Sequence, residues 1–202
     1  MARSRGRGLE LEEIKKAEEK ARAQANQVRR KSVFTVLGIV IGLAAIAAFI
    51  LLQPPPPGVA FPSLGNQHLT ALTDPHAPYN SSPPSSGPHF GGLAPWGANL
   101  TEVIPPELFI HNLEDGGIVL TYSCREGCTD ITEGLVGLVD DHVGERLLVT
   151  EYPGIVDPDG VAQRGAAVAW GRVLYFDEWN TDVRDEIETF IRLYEGLDNH
   201  AR

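Results

Sequence analysis

Cysteine is scarce: the 202 residues hold two, Cys124 and Cys128, and a single methionine, Met1. Two cysteines rule out a fold stapled by several bridges. Lysine is missing altogether beyond residue 53, where seven arginines face 22 Asp and Glu. A segment of net charge near −15 repels nucleic acid, which excludes that partner. Catalytic triads, phosphate-binding loops and nucleic-acid signatures are absent too, and Ser85, Ser86 and Ser123 lack a nucleophile-elbow context. These absences favour a non-enzymatic role.

The charge that is present is segregated. Residues 1–32 carry ten Lys and Arg against five Asp and Glu, opposite in sign to the rest. Between the two lies VFTVLGIVIGLAAIAAFILL, Val33 to Leu52, twenty residues without charge or proline. At about 1.5 Å per residue such a helix spans roughly 30 Å, the thickness of a bilayer core. Arg29, Arg30 and Lys31 abut its N-terminal end, whereas Gln53 and four prolines follow it. The basic flank predicts a cytoplasmic N-terminus and an extracytoplasmic C-terminal part, in a single-pass protein of the cell (inner) membrane whose residues 33–52 meet the lipid bilayer. A 32-residue leading segment and a 20-residue apolar run favour an uncleaved signal-anchor over a cleaved signal.

Four segments follow: a basic cytoplasmic helix (1–32), the transmembrane helix (33–52), a proline-rich stalk (53–65) and an exterior domain (66–198). Within the first, residues 9–31 lack Gly and Pro and read as a solvated helix with Glu–Lys pairs. Its apolar face is thin (Leu11, Ile14, Ala17, Ala21, Ala25, Val28). Residues 66–106 are rich in proline and show little periodicity, but Tyr79, Phe90, Trp96 and several histidines predict a loop packed on the domain. Thereafter come a strand over 116–123, a helix over 130–143 with Asp130 and Glu133 as a capping box, and a strand over 146–153. A strand over 166–176 with a bulge at Gly171 and an amphipathic helix over 181–196 complete the pattern. The order predicts a small α+β domain with a mainly antiparallel sheet, two helices and a long ordered Pro/Gly-rich loop.

All six histidines lie beyond the apolar run. In HNLEDGG (111–117), His111 and Glu114 share a side only if the segment is helical, and Gly116–Gly117 most simply supplies a turn. In YNSSPPSSGPHF (79–90), three prolines and Gly87 shape a rigid corner just before His89. Imidazole and carboxylate together suit zinc, copper or another transition metal. The same residues also fit a hydrogen-bonded structural pair on a rigid polar loop. CREGC (124–128) falls between a strand and a helix start, outside the cytoplasm by the topology above. That compartment favours a Cys124–Cys128 disulfide. The location is also that of the redox pair in thioredoxin-like folds, and the spacing resembles copper-delivery proteins of that superfamily.

The blocks PPSSGPHF, APWG, PPELFIHNLEDGGIVLTY and AWGRVLYFD, in this order, resemble the bacterial domain of unknown function 3105. The likeness covers most of residues 66–196, and it implies an N-terminal membrane helix but no established activity. Its motif positions correspond here to His68, Pro84, Gly87, His89, His111, Glu114, Asp115, Gly116 and Tyr122. Asp115 stands where the family usually has histidine, which as a ligand shifts preference from soft Cu(I) toward zinc or another divalent ion. Three functions remain open. The first is a metal-binding exterior domain with His68, His89, His111 and Glu114 or Asp115 as ligands. The second is a scaffold or accessory subunit bound to a membrane-protein partner, and the third is thiol-redox or copper transfer through Cys124 and Cys128.

Overall fold

The computed structural model describes residues 2–123 and 127–200, with side chains from residue 15 onward except 17, 21, 23, 25 and 28. The thin apolar face expected on residues 9–31 falls on side chains outside this set. The chain divides into two compact units, residues 1–55 and 56–202.

The first unit is one helix, α1 (Ala2–Leu51). The solvated stretch and the apolar run are thus continuous, as the lack of proline permits. Its portion Arg29–Leu51 is long and apolar enough to cross a membrane, a test that a signal sequence near the N-terminus also passes. Phe34, Ile41, Leu43, Phe49 and Ile50 are each more than half exposed along it. So much contiguous apolar surface calls for an apolar environment.

The second unit is built on a six-stranded mixed sheet in the order β1-β8-β7-β5-β6-β4. The strands are β1 (Val59–Ala60), β4 (Gly97–Asn99), β5 (Ile118–Tyr122), β6 (Leu147–Glu151), β7 (Gly165–Ala169) and β8 (Arg172–Phe176). Three of its pairings are antiparallel, β1 with β8, β8 with β7 and β7 with β5. Strand β6 runs parallel to both β5 and β4. The parallel pair β5–β6 needs a crossover, which α3 (Thr129–Asp141) supplies. Helix α4 (Thr181–Tyr194) follows β8, with Asn180 accepting from the Val183 N–H as N-cap. A second, two-stranded parallel sheet joins β2 (His68–Leu69) to β3 (His89–Phe90).

Central strands reveal why the domain holds together. Every residue of β5 is buried, with Ile118, Leu120 and Tyr122 directed to the α3–α4 side and Val119 to the other. On the first side they meet Ile131, Leu135 and Leu138 of α3 and Ile187, Phe190 and Ile191 of α4. On the second side Val119, Leu148 and Val168 meet Phe109, Ile110 and Leu113 of a further helix, α2 (Pro106–Glu114). Covering both faces explains the unbroken apolar run IVL in β5.

Two local expectations are corrected, and one point left open is decided. The segment 166–176 is a hairpin rather than one bulged strand: Ala169 pairs with Arg172, and Gly171, at φ 68°, makes the turn. Helix α3 starts at Thr129 with Cys128 at its N-cap and no side-chain capping bond. Asp130, read as the cap, instead binds the Arg164 guanidinium at 2.9 Å. Lastly, HNLE is the end of α2, whose start Pro106 pre-sets because a missing N–H costs nothing in a first turn.

The loop before α2 is ordered by side-chain bonds, as its aromatic content suggested. Asn112 is fully buried and works as a surrogate backbone: its Oδ1 accepts from Ala94 N–H (2.9 Å) and its Nδ2 donates to Ala94 C=O (3.0 Å). Asn112→Ala strands both groups of Ala94 in the interior. The expected loss is about 2–4 kcal/mol of unfolding free energy, read as a lower urea midpoint at unchanged slope.

Candidate metal centre

Two loop strands and one helix bring four side chains to a single point. In the β2–β3 pair His68 lies beside His89 in register, with ring centroids 4.9 Å apart. Gly87 precedes this strand at φ 126°, and a Cβ there would press on the Tyr79 ring at 3.2 Å. Tyr79 in turn donates its hydroxyl to Pro88 C=O at 2.7 Å, holding the corner from which His89 projects. From the other side, His111 and Glu114 occupy adjacent turns of α2 on one face.

One ligand atom from each of the four lies within 4.8 Å of every other. Glu114 Oε2 is 3.1 Å from His68 Nε2, 3.0 Å from His89 Nε2 and 3.4 Å from His111 Nδ1. His89 Nε2 and His111 Nδ1 are 3.2 Å apart. Ligand atoms about 2.0–2.1 Å from an ion stand about 3.3–3.4 Å apart in a tetrahedron and about 2.9 Å apart at a right angle. The four measured separations fall in that interval. His89 and Glu114 are fully buried, His111 is largely buried, and His68 is half exposed. The cluster is therefore buried at His89 and Glu114 and reaches solvent at His68.

Tautomers sharpen the picture. His89 Nδ1 faces the Gly87 carbonyl at 2.8 Å, and since a carbonyl only accepts, Nδ1 carries the proton. In the neutral ring, Nε2 is then a bare lone pair aimed at a carboxylate oxygen and a second imidazole nitrogen. Such lone pairs repel unless a proton or a cation lies between them. The backbone bond on the far nitrogen is also the outer-shell support that metal-bound histidines use.

Protonation leans the same way. Burial pushes the His111 imidazole down, as do His89 and His68 beside it, and together they outweigh the opposing pull of Asp115 and Glu114. Burial alone would raise the Glu114 carboxyl, but His68, Asn66 and His89 hold it below the ordinary carboxylate value. A neutral imidazole next to an ionised carboxylate is the state a divalent ion requires. The second oxygen, Glu114 Oε1, is buried without a well-formed hydrogen bond.

Asp115 stands apart from this group. It is the C-cap of α2, and its Oδ1 lies 3.3 Å from His200 Nε2. Two other histidines pair elsewhere, His76 with Glu107 at 3.2 Å and His142 with Glu145 at 3.0 Å. His200 was not singled out in the sequence, yet its Nε2 comes within 4.0 Å of Glu114 Oε2. No local pattern flags it, because 86 residues separate it from Glu114. Of the cysteine pair, Cys128 is buried at the start of α3, while Cys124 lies outside the described residues.

No curated protein and no solved structure matches this chain. A family model described as "Protein of unknown function (DUF3105)" matches residues 72–201, a span that includes His89, His111, Glu114 and His200. Matching well over half of the sequence, it shows that the chain belongs to the DUF3105 family.

Proposed function

We propose that this protein is a membrane-anchored, extracytoplasmic metal-binding domain. Its ion is held by His68, His89, His111 and Glu114, and its N-terminus is cytoplasmic. The observation that carries the reading is the convergence of three imidazole nitrogens on Glu114 Oε2 at 3.0–3.4 Å. A carboxylate oxygen has two lone pairs for hydrogen bonds, one fewer than the three rings gathered around Glu114 Oε2. Nitrogen and carboxylate donors without a thiolate suit zinc, or copper or iron in their divalent states. Asp115 belongs to the surroundings of the site in this reading rather than to its ligands. The scaffold reading uses the same cluster only to tie the loop to α2. The thiol-redox reading rests on Cys124 and Cys128, with Cys128 at the start of α3.

The test is metal analysis of the full-length chain purified in detergent, followed by zinc and copper titration. About one equivalent of metal is expected, and His89→Ala and His111→Ala each lose it. If no metal binds the parent protein, or both variants keep its affinity, the cluster is only a brace. Acid supplies an independent arm. The imidazoles must shed protons to bind, and His111 is already held below the usual imidazole value. Zinc affinity is therefore expected to be flat above about pH 7. It falls below about pH 6, by up to about tenfold per pH unit for each histidine that protonates.

A further inference from the structure

Beyond those four ligands, the C-terminal tail is docked onto the end of α2. The Gly196 N–H donates to Gly116 C=O at 2.8 Å, and the Asn199 N–H to Glu114 C=O at 2.9 Å. The side chain of Asn199, itself buried, donates to Leu113 C=O at 3.2 Å. Asn66, two residues before His68, clasps the tail from the other strand by donating to His200 C=O at 2.9 Å. The bond to Glu114 C=O satisfies a carbonyl that the helix end leaves without an intrahelical partner. Together these bonds fix the backbone on both sides of one side chain, the imidazole of His200.

That ring is oriented as well as placed. Asp198 Oδ1 accepts from the His200 backbone N–H at 3.0 Å and lies 2.7 Å from the ring Nδ1. A carboxylate on Nδ1 keeps a proton there, so that loss of the second proton, the one facing Asp115, makes Nε2 the donor atom, the carboxylate–histidine arrangement found behind metal ligands. Nε2 points back toward the cluster, 4.0 Å from Glu114 Oε2 and 3.3 Å from Asp115 Oδ1. Two ligands on opposite sides of one ion stand about 4.0–4.2 Å apart. Beside it opens a cleft of about 450 Å³ bordered by Trp96, Arg146 and Asp115, which leaves the ring room to adjust.

We propose that His200 is a further ligand, carried by the docked tail to the open side of the ion, with Asp198 as its positioning residue. The inference rests on the metal reading above. It makes the C-terminus the closing element of the site, so that release of the tail would expose the ion on the side of the cleft.

Cobalt(II) alone, added to the full-length chain in detergent, is the probe, because its visible absorption reports coordination number. The parent protein is expected to show the weak bands of a five-coordinate ion. His200→Ala shows several-fold stronger, tetrahedral-type bands and binds zinc about tenfold or more weaker, and free imidazole restores the parent spectrum. Asp198→Asn keeps the imidazole but loses its anchor, and weakens zinc by a smaller factor. It decides the question if His200→Ala does not fold. An unchanged spectrum and zinc affinity in His200→Ala, or unchanged affinity in Asp198→Asn, overturns the tail ligand while the four-ligand site stands. A parent protein that takes up no cobalt overturns both.

Discussion

Zinc is expected to raise the thermal midpoint of the second unit, residues 56–202, by about 8–16 °C at a thousandfold excess over Kd, and excess chelator to abolish the rise. The four side chains come from β2, β3 and α2; β2 pairs with β3, but no strand pairing ties either of them to the helix. An ion that binds only the folded arrangement stabilises it by RT ln(1 + [L]/Kd), about 4 kcal/mol at that excess. For a unit of this size each kcal/mol moves the midpoint by about 2–4 °C. His89→Ala should remove the effect, because it deletes the one imidazole that is both fully buried and fixed by a backbone carbonyl. Differential scanning calorimetry of the full-length chain, with and without chelator, makes the measurement. Equal midpoints in zinc and in chelator, with His89→Ala indistinguishable from the parent, would refute an ion at this site.

The second large effect is at Gly116. It sits at φ 82°, and a Cβ built there would lie 2.8 Å from both the backbone N and O of Leu197. Neither obstacle can be relieved by rotating a side chain. The left-handed conformation costs an alanine about 1–2 kcal/mol, and overpacking against backbone adds about 1–3 kcal/mol. Gly116→Ala is thus expected to cost about 2–5 kcal/mol in urea unfolding. It should also push the tail from α2, because Gly116 C=O accepts from Gly196. Metal affinity then falls along with stability. A variant as stable as the parent would mean that the tail does not pack against this glycine. Gly117, next in line, is barred for another reason: its Cβ would enter the Trp96 ring at 2.4 Å. The pair read from sequence as a simple turn is a turn at one position and a close approach at the other.

Several features were legible from the chain alone, each for a short-range reason. The twenty-residue apolar run, the all-buried strand at 118–122 and the amphipathic helix near 181–194 declare themselves through composition and periodicity within one element. Proline and Gly87 before His89 marked a constrained corner, and the corner is where the ring is held. Errors arose where two neighbouring elements share one pattern. Strands β7 and β8 are both apolar, so AAVAWGRVLYF looks continuous, and only their pairing reveals the turn at Gly171. HNLE, left open between helix and extended chain, is helical because Phe109, Ile110 and Leu113 of the same helix find Val119 and Val168 on the sheet.

The sequence by itself determined the inventory: which residues carry imidazole and carboxylate, which stretch can sit in a membrane, and which segments must be covered by others. Only the tertiary structure decided the set. It joined His68 and His89 to α2, turned Glu114 inward and Asp115 outward, and brought His200 from the far end of the chain to within 4.0 Å of Glu114. The physical reason is range. Periodicity reports what a residue does within its own element, whereas this His/Glu cluster and its neighbour His200 are assembled by contacts 22, 25, 46 and 86 residues apart, fixed by the packing of the whole domain.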